Sequence, residues 1–207
     1  MIGIVDYGMG NLFSVSQALK RLDVPFFLSE DPAELAKADG LILPGVGAFK
    51  DAMARLNESG LTDFLHQYVE TGKPLLGICL GMQLLFEESE EGGLTKGLSL
   101  LPGRVVRFPG QAENGETYKV PHMGWNRLKW ENSSQVTANL EEDYAYFVHS
   151  YYVKTVNKEI LIGTASYFEE VPAVVGRNNV YGMQFHPEKS SKLGVELLTN
   201  FTKLVLK

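Results

Sequence analysis

A single cysteine stands in a setting that suits a nucleophile. Cys79 lies in "GICLGMQ" (77–83), between two glycines, where an apolar run ends and a helical pattern begins. G-x-C-x-G has the form of a nucleophile elbow, in which glycines let a strand turn sharply into a helix and expose the nucleophile. A helix N-terminus favours the reactive thiolate, and the next amide, that of Leu80, points to where an oxyanion would form. The alternative is an unreactive buried thiol, which is the common role of a free cysteine.

A nucleophilic cysteine needs a base, and His186 is the histidine with a suitable neighbour. In "QFHPEKS" Glu188 follows His186 by two residues. In an extended chain, residues i and i+2 point to the same side, so Glu188 can orient one ring nitrogen while the other faces the thiol. Cys79, His186 and Glu188 therefore predict a nucleophile, a base and an orienting carboxylate.

The other three histidines are weaker candidates for the base. His66 lies four residues before Glu70 in a helical pattern, which favours a solvated surface pair. His122 in "PHMGWN" and His149 in "FVHSYY" have no carboxylate at a spacing that would orient the ring. We interpret both as hydrogen-bonded residues of partly buried strands or loops.

Two glycine-containing loops follow predicted strands. "PGVGAF" (44–49) is predicted to supply a second oxyanion amide, from the stretch Gly45, Val46 and Gly47. "DYGMGNLF" (6–13) starts a G-x-G-x-x-G pattern with an acidic residue, Glu30, about twenty residues further on, as in dinucleotide sites. The third glycine position holds Phe13, and a dinucleotide site would leave the cysteine and its histidine unexplained. We therefore expect no cofactor.

The elements that position these residues alternate in the first half of the chain. Continuous apolar runs predict buried parallel strands, and amphipathic stretches between them predict helices on both faces of an open sheet. The predicted strands are 2–5, 25–28, 40–44 and 74–79, and the predicted helices are 11–22, 48–59 and 61–72. From Arg104 onward, "RVVRF", "YAYFVHSYYV", "LIGTASY" and "VYGMQF" predict antiparallel strands added to the same sheet. A helix is predicted over 193–207, and exposed loops over 110–116 and 131–143.

Composition excludes several classes of protein. The 207 residues suit one domain, 1–207, and 44% hydrophobic with 21% charged residues is ordinary for a globular chain. A net charge of −6 without basic clusters argues against nucleic-acid binding. One cysteine permits no internal disulfide and no four-thiolate zinc site, and we expect no metal. No apolar run is long enough to span a bilayer, and the N-terminus does not resemble a signal peptide. We expect a cytoplasmic protein.

These motifs resemble those of the class I glutamine amidotransferases. "GICLGMQ" with a late "HPE" is the signature pair of that family. Further motifs match, in order, the branch that supplies ammonia to a (β/α)8-barrel cyclase in histidine biosynthesis: "DYGMGN", "LPGVGAF", "VPHMGWN", "YFVHSYYV" and "GMQFHPEKSS". The match runs essentially end to end and implies a flavodoxin-like, mixed α/β sheet.

The resemblance implies a role for each site residue. Cys79 would attack the side-chain amide of glutamine and form a γ-glutamyl thioester. His186, oriented by Glu188, would protonate the departing ammonia and then activate water. Amides of Leu80 and of Val46 or Gly47 would bind the oxyanion. The implied substrate-binding residues are Gly45, Gln83, Glu91, Ser150 and Tyr151.

The resemblance also implies a partner. The cyclase would dock as the second subunit of a heterodimer, receive ammonia by a shielded route, and form imidazole glycerol phosphate and aminoimidazole carboxamide ribotide. The implied docking residues are Asn11, Trp125, Asn126, Tyr146 and Lys189. Glutamine hydrolysis would stay slow until the "PGVG" peptide reorients. Two alternatives remain open: a sibling amidotransferase that feeds another acceptor, and a non-catalytic cofactor-binding module in which Cys79 is structural.

Overall fold

Fourteen strands and six α-helices make up the chain, and the computed structural model describes all of residues 1–207. The strands are β1 (Ile2–Val5), β2 (Phe26–Ser29), β3 (Gly40–Leu43), β4 (Leu75–Ile78), β5 (Glu88–Ser89), β6 (Thr95–Lys96), β7 (Arg104–Arg107), β8 (His122–Arg127), β9 (Lys129–Trp130), β10 (Tyr144–His149), β11 (Tyr151–Lys154), β12 (Leu161–Tyr167), β13 (Glu169–Arg177) and β14 (Val180–Met183). The helices are α1 (Leu12–Arg21), α2 (Pro32–Leu35), α3 (Phe49–Glu58), α4 (Leu61–Glu70), α5 (Leu80–Leu84) and α6 (Ser191–Val205). None of these helices has the length and apolarity that crossing a membrane requires.

The central sheet has eight strands in the order β2-β1-β3-β4-β14-β13-β12-β9. Its first five strands are parallel, and the last three are added antiparallel. Strands β1, β3 and β4 are buried at every position, as continuous apolar runs covered on both faces should be. The predicted mixed sheet, parallel in the first half with antiparallel additions in the second, is confirmed.

The prediction that the later strands all join this sheet is only partly correct. "VYGMQF" supplies β14, which runs parallel to β4. "RVVRF" supplies β7, which belongs to a separate four-stranded sheet in the order β11-β7-β5-β6. "YAYFVHSYYV" divides at Ser150 into β10, which pairs with β8, and β11, which pairs with β7. An alternating apolar pattern predicts a strand but does not identify its partner, so sequence alone missed this division.

Two apolar layers hold the helices against the central sheet. Helices α1 and α6 pack on one face, and α3, α4 and α5 pack on the other. The longer helices each bury one stripe: α4, for example, buries Leu61, Leu65 and Tyr68, which recur at helical spacing. The short helix α5 is buried at every position. The loop predicted over 131–143 is not wholly exposed, because Val136 is buried in the layer of α6.

Helix α6 also holds the turn that follows β14. It begins at Ser191, two residues before the predicted start, and a Cβ at Gly194 would lie 1.9 Å from the carbonyl oxygen of Pro187. Only glycine allows this approach, so the helix is in contact with the turn that carries His186 and Glu188. The Ser190 hydroxyl donates to the His186 carbonyl and accepts from the Tyr146 amide, which ties the same turn to β10.

Gly194→Ala tests this contact. The added methyl group must displace the Pro187 carbonyl, so we expect the free energy of unfolding to fall by about 1–3 kcal/mol. That fall would occur although alanine favours a helix interior by about 1 kcal/mol. Urea unfolding measures the change, with Lys203→Ala on the exposed face of α6 as the control. Equal or greater stability of Gly194→Ala would show that the contact does not constrain the turn.

Candidate active site

Cys79 occupies a sharp elbow between β4 and α5. Its backbone has φ 55° and ψ −115°, a conformation that non-glycine residues rarely adopt. The two flanking glycines permit the elbow, because a Cβ at Gly77 would lie 2.6 Å from the carbonyl oxygen of Gly81, and a Cβ at Gly81 would lie 1.9 Å from that of Leu43. The strained backbone thus places the thiol at the carboxyl end of a central strand, where ligands bind in open α/β sheets.

His186 reaches the same end of the sheet from the neighbouring strand. Strands β4 and β14 are parallel, with Ile78 opposite Met183, and the Cys79 amide donates to the Met183 carbonyl at 2.8 Å. Cys79 is one residue beyond β4 and His186 is three residues beyond β14, so both follow adjacent carboxyl ends. Parallel pairing therefore brings together two side chains that are 107 positions apart in the sequence (186 − 79).

Glu188 orients the His186 ring. The Nδ1 atom of His186 lies 2.8 Å from Oε1 of Glu188, and the side chains are 5% and 1% exposed. Burial lowers the pKa of His186, but hydrogen bonds and charges from Cys79 and Glu188 outweigh it and raise the pKa to about 10. The raised pKa favours a protonated His186 ring beside the Cys79 side chain, and a neighbouring imidazolium is one of the features that activate a cysteine nucleophile.

A pocket of about 420 Å³ opens beside these groups. It contains nine of the residues predicted for the site: Val46, Gly47, Cys79, Leu80, Gln83, Glu91, Ser150, Tyr151 and His186. Gly45 and Glu188 lie behind it, in a small cavity that also touches Asn11. Three further residues line the pocket and were not predicted from the sequence: Pro121, Val148 and His149.

One of the predicted oxyanion amides, that of Leu80, is not free in this conformation. The Leu80 amide donates to the Gly45 carbonyl at 3.3 Å, so the oxyanion position is taken by a backbone oxygen. Gly47 has φ 106° and Val46 is partly exposed, which leaves this loop without a tightly packed side chain. The hydrogen bond from the Leu80 amide to the Gly45 carbonyl must therefore break before this amide can bind an oxyanion.

Two predicted substrate-binding side chains line the pocket and have different hydrogen-bond partners. Gln83 is buried, and its Nε2 donates to the Tyr151 carbonyl and to Oε1 of Gln184, both at 3.0 Å. Glu91 accepts from the Phe49 amide at the start of α3, at 3.2 Å. Burial raises the pKa of Glu91, an effect that the Phe49 hydrogen bond opposes. Glu91 thus brings a carboxyl group to the lining of the pocket.

A buried pair of histidines lies next to the pocket. His122 in β8 and His149 in β10 are opposite each other in the strand register, with Nδ1 of His122 2.8 Å from Nε2 of His149. Burial lowers the pKa of His122 to about 4, and burial also lowers the pKa of His149, to about 3. Both rings are hydrogen-bonded in buried strand positions, as interpreted from the sequence, but their pairing was not foreseen. Alignment of the two strands of the hairpin would have revealed it.

Three of the five residues expected to dock the partner lie on the antiparallel pair of β8 and β10, called the β8–β10 hairpin here, and they divide between its two faces. Trp125 is 53% exposed and lies against Tyr146 on the outer face, with ring centroids 5.8 Å apart. Asn126 points inward instead, because its Nδ2 donates to the Ser166 carbonyl at 2.8 Å and lies 3.2 Å from Nε2 of His122. Lys189 is exposed beside Glu188, and Asn11 caps α1 by accepting from the Ser14 amide.

Comparison with known proteins decides the family. The model of the family "Glutamine amidotransferase class-I" matches residues 3–204. This chain is a class I glutamine amidotransferase. The resemblance inferred from the motifs of this amidotransferase is thereby confirmed, together with the fold class.

Relatives of this amidotransferase share most of its length. It is 62% identical to the imidazole glycerol phosphate synthase subunit HisH of Halalkalibacterium halodurans, over 100% of this chain and 97% of the relative. It is 57% identical to the protein of the same name from Bacillus subtilis, over 99% and 96%. Two solved structures share the fold: a glutamine amidotransferase (TM-score 0.76, 22% identity, covering 100% and 99%) and PurLQS from Thermotoga maritima (TM-score 0.74, 18% identity, covering 100% and 98%).

The buried histidine pair predicts an acid-sensitive stability. A histidine whose folded pKa lies below its unfolded value binds fewer protons when folded, so stability rises with pH between the two values. For His122 this window runs from about 4 to 6.5. We expect the free energy of unfolding to fall between pH 7.5 and pH 5, with His122 contributing up to about 1.4 kcal/mol per pH unit.

Urea unfolding at both pH values measures this fall. His122→Gln, which cannot take up the proton, should reduce the pH dependence, whereas His66→Gln on the half-exposed face of α4 should not. An unchanged dependence in His122→Gln would contradict the assignment of a neutral ring.

Proposed function

We propose that the chain is the glutaminase subunit of an imidazole glycerol phosphate synthase, and that it supplies ammonia to a partner cyclase. The observation that carries the proposal is the convergence of Cys79, His186 and Glu188 beside one open pocket. The high identity to HisH proteins over the full length supports the choice among amidotransferases. The overall reaction of this subunit is glutamine plus water to glutamate plus ammonia.

Cys79 is the proposed nucleophile. Its sulfur attacks the side-chain carbonyl carbon of glutamine, and the C=O electrons move to oxygen to give a tetrahedral oxyanion. Collapse of this intermediate breaks the C–N bond while His186 donates a proton to the departing nitrogen, which leaves ammonia and a γ-glutamyl thioester. His186 then removes a proton from water, which attacks the thioester and releases glutamate and the Cys79 thiolate. Glu188 keeps the ring aligned in both steps.

The Gly45–Val46 peptide is the proposed gate. In the described conformation its carbonyl accepts from the Leu80 amide, and this contact excludes an oxyanion. Rotation of the peptide removes the carbonyl and turns the Val46 amide towards the same place, so that two donors face the developing charge. Gly45 and Gly47 make the rotation inexpensive, since glycine accepts backbone conformations on both sides of φ = 0.

The amino-acid end of glutamine fits the rest of the pocket. Glu91 offers a carboxylate for the α-ammonium group. Gln83, together with backbone groups of Ser150 and Tyr151, offers polar partners for the remainder of the substrate. A buried polar site of this type rejects ligands that leave its groups unpaired, which suits selection of glutamine.

The outer face of the β8–β10 hairpin is the proposed docking surface for the cyclase. Met123, Trp125, Tyr146 and Val148 occupy this face in two cross-strand pairs, Met123 with Val148 and Trp125 with Tyr146. Exposed aromatic residues are frequent interface anchors, and Val148 also lines the pocket. A cyclase seated here, a (β/α)8-barrel by family resemblance, would cover the pocket mouth and receive ammonia before water protonates it. The cyclase would then form imidazole glycerol phosphate and aminoimidazole carboxamide ribotide.

Cys79→Ala tests the proposed reaction. In complex with the cyclase subunit and its nucleotide substrate, glutamine-dependent product formation should fall by at least about 10³-fold. Synthesis from added ammonium salt should continue at the wild-type rate, because it bypasses the glutaminase. Glutamate release and nucleotide conversion measure the two activities. Glutamine hydrolysis by the variant, or failure of the wild-type complex to convert the nucleotide, would overturn the proposal.

Trp125→Ala tests the docking surface. Loss of a central aromatic anchor should weaken cyclase binding by about 2 kcal/mol or more, which is roughly 30-fold in Kd. Titration calorimetry measures the affinity. Val156→Ala, which removes a fully exposed apolar side chain outside the hairpin, is the matched control and should bind as wild type. Equal affinities of the two variants would place the interface elsewhere.

A further inference from the structure

A continuous chain of hydrogen bonds links the β8–β10 hairpin to the pocket. It starts at Asn126, whose Nδ2 lies 3.2 Å from Nε2 of His122, and continues from Nδ1 of His122 to Nε2 of His149 at 2.8 Å. It ends where Nδ1 of His149 lies 2.7 Å from the Tyr151 carbonyl. The same carbonyl accepts from Gln83, so the chain reaches a group that already belongs to the pocket wall.

The partners fix the direction of every bond in this chain. A carbonyl only accepts, so His149 must carry its proton on Nδ1, and its Nε2 is then an acceptor when the ring is neutral. His122 must therefore donate from Nδ1, which leaves its Nε2 to accept from the Asn126 amide. Each histidine is restricted to one neutral tautomer, and each ring nitrogen has a partner.

The surrounding rings hold both histidines in place. His122 is stacked between Phe147, at a centroid distance of 4.6 Å, and Tyr167, at 4.2 Å. His149 packs at a tilt against Phe108, with centroids 5.3 Å apart. Burial lowers the pKa of both rings well below neutrality, which keeps them in the neutral form that the chain requires.

We propose that His122 and His149 are positioning residues that fix the Ser150–Tyr151 backbone against the amino-acid end of glutamine. The inference rests on the proposed function, since it concerns how the same pocket binds its substrate. His149 acts on the Tyr151 carbonyl directly, and His122 acts through His149. If the pair served only to fill the core, a defined donor at Nδ1 of His122 would have no effect on substrate binding.

Two substitutions of His122 separate positioning from packing. In His122→Asn the side-chain amide nitrogen occupies nearly the place of Nδ1 and can still donate to His149. In His122→Gln the amide group reaches the place of Nε2, so the bond to Asn126 is kept and the donor to His149 is lost. Both variants are polar and similar in size, so neither opens a large cavity.

The experiment uses the full chain in complex with the cyclase subunit. Steady-state kinetics give kcat and KM for glutamine, and alkylation by iodoacetamide reports on Cys79 with a probe that has no amino-acid end. We expect His122→Gln to raise KM by about tenfold, because a His149 ring without its donor no longer fixes the Tyr151 carbonyl for the substrate, a loss comparable with that of one buried hydrogen bond. His122→Asn should stay within about threefold of the wild-type KM, and both variants should be alkylated at rates within about twofold of wild type.

Each other outcome overturns the inference. Equal KM values for the two variants would assign the pair to core packing. Parallel losses in alkylation and in KM would indicate general damage to the site. A wild-type complex that releases no glutamate would refute the proposed function itself and this inference with it, whereas an active wild type with equivalent variants refutes the inference alone.

Discussion

The close contact of the elbow with β3 is the constraint on which the site depends. The backbone of Gly81 lies so near the Leu43 carbonyl that no side chain fits between them, and Gly77 also lies close to the first turn of α5. These approaches hold Cys79 at a positive φ and direct its side chain out of the sheet. The strain is therefore part of how the nucleophile is presented.

The parallel pairing of β4 and β14 supplies the second half of the site. Through it, a turn held by α6 and by the Tyr146 backbone brings His186 next to the thiol. The same β10 strand carries His149 on its inner face and Tyr146 on its outer face. One hairpin thus contacts the turn that carries His186, contributes His149 to the pocket wall and carries the proposed docking surface. A partner seated on it would be in direct contact with the elements that position the proposed catalytic residues.

Sequence patterns predicted the features that local residue types determine. Glycine spacing around Cys79 indicated the elbow, apolar runs indicated the parallel strands, and the i, i+2 spacing indicated the contact of Glu188 with His186. Features that depend on which strands pair, and in which register, could not be predicted from these patterns. The division of "YAYFVHSYYV" between two sheets depends on strand partners, and the His122–His149 pair depends on hairpin register. The orientation of the Gly45 carbonyl was also unpredictable, because glycine makes both orientations of the peptide accessible.

The proposed chemistry depends on His186, which lies beside Cys79 at the elbow and makes its sulfur a reactive nucleophile near neutral pH. The most direct test compares the rate of iodoacetamide alkylation at pH 6.5 in the wild-type chain and in His186→Asn, with His66→Asn as the control. Because the thiolate is the reactive form, we expect the His186 variant to react at least about tenfold more slowly and the control to match wild type. Equal rates in all three proteins would contradict the account, since the reactivity of the Cys79 thiol would then not depend on the His186 imidazole.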